Sequence, residues 1–125
     1  MYVDSISSSP TVIHVIVRGN GVFGVTSLGD NVFVVRKPSQ QKIEVYDAKT
    51  FTLQRHITVP GLGEYSSGLA ACPHNNCLNA SDYYDDSIHR VELPGRQAAK
   101  KWTVDSPVGL SVNSEHNLLF ESRGE

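Results

Sequence analysis

Val22-Phe23-Gly24-Val25-Thr26, Val32-Phe33-Val34-Val35, Ile43-Glu44-Val45-Tyr46 and Leu53 to Val59 are four short runs of largely β-branched and aromatic residues. Each closes on turn formers: Gly29-Asp30-Asn31, Pro38-Ser39-Gln40-Gln41, Asp47-Ala48-Lys49-Thr50 and Pro60-Gly61. β-Branched and aromatic side chains suit a pleated, half-buried surface. Gly, Pro, Asn and Asp supply the dihedrals that reverse a chain. No window places apolar residues at i, i+3, i+4 and i+7 behind a capping residue, so helices are not expected. The spacing predicts an antiparallel meander of four strands joined by short loops.

The meander recurs. Asn31-Val32-Phe33 returns as Asn76-Cys77-Leu78, Ile43 as Ile88, and Ile57-Thr58-Val59 as Trp102-Thr103-Val104. Gly24-Val25 returns as Gly68-Leu69, and Gly68-Leu69-Ala70 again as Gly109-Leu110-Ser111. Four strands at a period of roughly 41 to 45 residues match one blade of a β-propeller. The expected fold class is all-β: about two and a half four-stranded antiparallel propeller blades in an incomplete ring. Residues 1–12 read as an N-terminal tail and 13–125 as the partial β-propeller, with blades at 22–59 and 66–104, a half blade at 108–122, and an extra outer strand at 13–17. That fills about three blade positions, fewer than the roughly four to eight of closed propellers.

Composition narrows the function classes. The chain has 125 residues, 39% hydrophobic and 19% charged, which is ordinary for a globular domain. A net charge of -2 gives no footprint for nucleic acid or anionic lipid. The longest apolar run, Val12 to Val17, is broken by His14 and falls short of the roughly 18 residues a membrane helix needs. Met1-Tyr2-Val3-Asp4-Ser5 is not a basic segment leading into an apolar one, so a cytoplasmic location is expected. Cys72 and Cys77 bracket Pro73-His74-Asn75-Asn76. A zinc site needs a fourth ligand that this spacing does not supply, so the two cysteines are read as small apolar residues bounding a hairpin turn.

Asn79 to Val91, with Ser106-Pro107-Val108-Gly109-Leu110-Ser111-Val112 and Ser67-Gly68-Leu69-Ala70-Ala71, resembles the NHL-type repeat of six-bladed propellers. Asp82 stands where that family has its strand-end Asp, and Ile88 where an apolar residue opens the next strand. The resemblance runs over roughly residues 20 to 122 and implies a fold more than a function. By the period read above, Asp82 corresponds to Lys37 and Arg123, so it is expected either to pair with one of them or to be a solvated turn residue. The resemblance implies a module whose loop faces hold proteins or RNA; RNA would want a basic aromatic patch and the chain is mildly acidic, so a protein partner is expected.

Several clusters carry possible chemistry. Asp82, Asp85 and Asp86 form the densest acidic group, but they lack the order and the glycine of an EF-hand calcium loop. Asn79-Ala80-Ser81 is a glycosylation sequon placed on a strand that the repeat buries. Gly61-Leu62-Gly63 precedes a strand and lacks a phosphate-loop ending, so it reads as a turn between blades. The linker Pro60 to Ser67 is the variable loop of the repeat, and function concentrates in such loops. The expected binding residues are Glu64, Tyr65, Asp82 and Asp85, with no catalytic residue, metal or cofactor. The expected role is a protein-binding scaffold within a larger propeller or a homo-oligomer, with a protein partner or self-association. The alternative is a fragment of a propeller enzyme, a lyase or gluconolactonase-like hydrolase, whose metal ligands other blades complete.

Overall fold

The computed structural model describes residues 21–64, 66–94 and 100–122. The expected tail and the strand at 13–17 lie outside them. Ten strands follow: β1 (Val22–Leu28), β2 (Asn31–Arg36), β3 (Lys42–Asp47), β4 (Leu53–Thr58), β5 (Ser66–Cys72), β6 (Cys77–Asp82), β7 (Ser87–Glu92), β8 (Lys100–Thr103), β9 (Pro107–Val112) and β10 (Leu118–Ser122). They form two four-stranded antiparallel sheets in sequential order, β1 to β4 and β5 to β8, and the hairpin β9–β10. The innermost strands pack on one another, β1 on β5 and β5 on β9. This is the stacking of propeller blades, and among the described residues the stack does not close into a ring.

Period-2 alternation divides each sheet between its two neighbours. Phe33, Val35, Ile43, Val45 and Ile57 of the first blade meet Leu69, Leu78, Ala80 and Val91 of the second in one core, with Val59 and Leu62 of the linker among them. Gly24 makes this approach possible: a Cβ there would lie 2.9 Å from both the Leu69 Cβ and a Val35 methyl.

The repeat extends to individual hydrogen bonds. Gln41, at φ 58°, accepts from Val59 N at 2.7 Å through its carbonyl and from Gly61 N at 3.0 Å through its side chain. Asp86, at φ 51°, repeats both bonds on the next linker, to Val104 N at 2.8 Å and Ser106 N at 2.9 Å. In each blade the turn between the second and third strands thus fastens the linker that leaves the fourth.

The ladders correct the correspondence expected on the second strands by one residue. Val25 faces Val34 and Leu69 faces Ala80, so Val34 matches Ala80 and Arg36 matches Asp82. The cause is turn length. Two residues (Gly29 and Asp30) separate the paired ends Leu28 and Asn31. Four residues (Pro73 to Asn76) separate Cys72 from Cys77. Three (Ser114 to His116) lie within the Asn113 N to Asn117 O bond of 3.0 Å. One constant shift cannot hold on both sides of turns that differ. Asn79 nonetheless proves buried, at 4% exposure.

Candidate functional site

The polar groups concentrate where the linker 59–64 crosses from the first blade to the second. Leu62, 2% exposed, plugs the interblade core beneath it. On one side Ser39 holds the linker: its Oγ donates to Gly63 O at 2.7 Å and its N–H to Glu64 O at 3.1 Å. On the other side the Asp82 carboxylate accepts from Gly63 N at 2.6 Å. A Cβ on Gly63 would lie 2.7 Å from both Asp82 oxygens, so only glycine lets the carboxylate reach the backbone.

Asp82 is 1% exposed, which corrects the expectation of a solvated turn residue. Besides Gly63 it accepts from Asp85 N at 3.3 Å, and His89 Nε2 lies 3.7 Å away. Arg123 is outside the described residues, and Lys37 is exposed. In the first blade the same two positions hold Arg36 and Glu44, paired at 2.6 Å with the Tyr46 hydroxyl donating to Glu44 at 2.7 Å. A diagonal polar pair therefore recurs at one place in the blade with different chemistry, Arg–Glu in one and Asp–His in the next. Burial pushes the Glu44 carboxyl up, yet the bonds from Arg36 and Tyr46 together hold it below the ordinary value.

Asp85 sits at the mouth of this site. It pairs with Lys101 Nζ at 2.8 Å and accepts from Ser87 Oγ at 3.0 Å, and these two bonds lower its pKa. Ser87 Oγ is also 3.2 Å from His89 Nε2. Among the described residues, ligand atoms of Asp82, Asp85 and His89 lie within 4.8 Å of one another. Asp86 is not in this group, because it fastens the next linker. Sequence reasoning passed over His89. Its one signal is that alternation puts it on the face of Ala80 and Val91, among the apolar residues of the interblade core.

Of the other expected binding residues, Glu64 is exposed beside Gly63, and Tyr65 lies outside the described residues. Tyr84, at the tip of the same turn, is 74% exposed and stands edge-on to Tyr83 at 4.9 Å between ring centroids.

Burial lowers the pKa of His89, against the pull of Asp82 and Asp85. The folded value lies below that of the unfolded chain, about 6.5. The unfolded state therefore takes up the proton first, and stability is complete above that pH and falls as pH drops below it. Urea midpoints should fall on acidification from pH near 8 to near 5, before the carboxylates titrate, and His89→Asn should flatten that slope. Midpoints that rise on acidification would contradict this account.

The sheets and the interblade packing define a β-propeller fold. The sequence matches no protein-family model and no curated protein. Among solved structures, the chain is similar to Kuenenia stuttgartiensis hydrazine synthase, with TM-score 0.70 and 20% identity over 95% of this chain and 33% of that one. It is also similar to virginiamycin B lyase from Staphylococcus aureus, with TM-score 0.66 and 17% identity over 79% of this chain and 33% of that one. A chain of the nidogen/laminin complex gives TM-score 0.65 and 18% identity over 81% of this chain and 39% of that one. The chain thus spans between 33% and 39% of the lengths of these similar structures.

Proposed function

We propose that the chain is an interaction scaffold: a propeller module, of the NHL type that Ser106 to Val112 and Asp82 resemble, whose loop face binds a protein partner. The observation that carries this reading is the 82–87 turn. Its inner groups, Asp82 and Asp86, are spent on fastening backbone, while its tip holds the Tyr84 ring in solvent at 74% exposure. Tyr rings are enriched among the residues that dominate protein interfaces, because they bury much area with few torsions to fix. Exposed Asp85 and Glu64 lie beside that tip or on the adjoining linker, with Lys101 offsetting Asp85, and this acidic balance favours a basic partner surface. Binding to arrayed Lys/Arg-rich peptides should exceed binding to acidic ones. Tyr84→Ala should weaken the best of them by about 2 kcal/mol, roughly thirtyfold, without changing stability. Equal binding to both peptide classes would refute the reading.

The enzyme alternative has one observation in its favour, the Asp82, Asp85 and His89 group. Two carboxylates and an imidazole kept neutral by burial suit a divalent transition metal, with Lys101 as its competitor for Asp85. The similar structures include both a lyase and a binding complex, and at 17% and 18% identity they speak to the fold alone. Metal content after dialysis against zinc, manganese and calcium separates the two readings. Stoichiometric metal lost in His89→Ala supports the enzyme, and none supports the scaffold.

A further inference from the structure

Cys72 and Cys77 are the two cysteines of the chain, and the scaffold reading uses neither. They are direct cross-strand partners at the end of the β5–β6 ladder, so both side chains leave the sheet on one face. Both are free thiols, 3% and 2% exposed. They lie outside the apolar cluster that joins the first two blades. They face the other way, into a hollow of about 180 Å³ between the second blade and the hairpin, which Asn79, Arg90, Val112 and Leu118 also line.

The repeat does not require cysteine at these positions. The residues that close the same turn are Leu28 and Asn31 in the first blade, and Asn113 and Asn117 in the hairpin. Nor does the hollow call for small apolar side chains, since an amide and a guanidinium share its wall. Opposed residues of an antiparallel ladder hold their Cα atoms about 4.5 or 5.5 Å apart, inside the range of about 4.4 to 6.8 Å that a disulfide takes. Their Cβ atoms need draw together by only about 1 Å. The turn Pro73 to Asn76 lies just beyond the pair, so no further β5–β6 rung resists that movement.

We propose that Cys72 and Cys77 are a redox site that closes into a cross-strand disulfide by exchange with a low-molecular-weight disulfide of the oxidised-glutathione class. Burial pushes the Cys77 thiol up, against the pull of the Arg90 guanidinium, so the covered pair is a poor nucleophile. Exchange therefore proceeds while the hairpin is parted, and the hairpin's return shelters the finished bond. One cysteine thiolate attacks the reagent, forming a mixed disulfide with one half and expelling the other half as a thiolate. The second cysteine attacks the sulfur of the first and expels the remaining half. Both chain thiols are oxidised, the reagent is reduced to two thiols, and the two protons pass from the chain to the expelled thiolates. The site goes beyond the loop-face reading and does not rest on it, since the 73–76 turn and the Tyr84 turn stand at opposite ends of β6.

The test equilibrates the full chain with mixtures of reduced and oxidised glutathione, starting from the reduced and from the oxidised protein. Intact mass and alkylation of free thiols report the products. One intramolecular bond should form, seen as the loss of two hydrogens and of both alkylation sites. The native chain should close at a ratio of oxidised to reduced reagent about tenfold lower than the same chain needs in strong urea. By linkage the bond then raises the folding equilibrium by that factor, so the oxidised chain should have the higher urea midpoint and lose the gain on reduction. Cys77→Ser should show no such shift. A native chain that closes no more readily than the unfolded one would mean that the fold holds the sulfurs apart, and would overturn the proposal. Mixed disulfides or cross-linked dimers as the main oxidised product would overturn it too. Basic-peptide binding by Tyr84→Ala reports on the loop-face reading alone.

Discussion

Asp82→Ala should cost about 3 kcal/mol of stability, and added salt should leave that loss unchanged. The carboxylate is 1% exposed and accepts from Gly63 N at 2.6 Å and Asp85 N at 3.3 Å. Alanine leaves the Gly63 N–H without its acceptor between two blades and takes the facing charge from His89. A hydrogen bond to a charged acceptor is worth more than a neutral one, and stranding its buried donor adds the desolvation cost. Mobile ions screen exposed charges over about 10 Å but do not enter such a site. Lys101→Ala is the contrast. Its pair with Asp85 is 49% and 45% exposed, so its effect should be small and should disappear in salt. Urea midpoints at low and high ionic strength compare the two variants. A loss at Asp82 that vanishes in salt would mean that the residue is a solvated ion-pair partner after all. Asp82→Asn keeps an oxygen for Gly63 N and should fall between wild type and alanine.

The architecture was legible because it depends on quantities a sequence displays directly: alternation along strands, turn formers between them, and recurrence of the whole pattern. The register was less legible, because it depends on how many residues a turn spends. Leu28 and Asn31 are joined by a two-residue turn and Cys72 and Cys77 by a four-residue one, which displaces Asp82 onto the position of Arg36. Every side-chain correspondence drawn on the second strands moved with it. The site was the least legible part. Asp82 and Asp85 stand out as an acidic cluster, but the residue that joins them is a histidine on the facing strand, brought in by pairing of Asp82 with Ser87 and Ala80 with His89. Burial also reversed the meaning of Asp82, from a surface charge to an acceptor that fastens a linker.

Phe33→Ala should be the most damaging single substitution, costing about 4 kcal/mol. Phe33 is 2% exposed and lies in the core between the first two blades, across the ladder from Val45. The cavity it leaves is walled by strands whose backbone bonds fix their spacing, so the walls cannot close on it and the loss falls high in the range for buried aromatics. Its effect on cooperativity follows from comparing the two interblade contacts. The first blade presents Phe33, Val35 and Val45 to the second. At the matching positions the second blade presents Asn79, Ser81 and Arg90 to the hairpin β9–β10. The first contact is therefore the stronger, and in wild type the hairpin should separate before the two full blades do, as expected where repeats hold only their neighbours. Trp102, the single tryptophan, pairs with Ile88 on the side facing that hairpin, so its fluorescence reports the weaker contact. In wild type the fluorescence change should precede the loss of strand signal in circular dichroism. Phe33→Ala weakens the stronger contact alone, bringing the later transition down until the two nearly coincide while the fluorescence midpoint moves far less. Two transitions that shift together by the same amount would instead mean that the blades unfold as one unit.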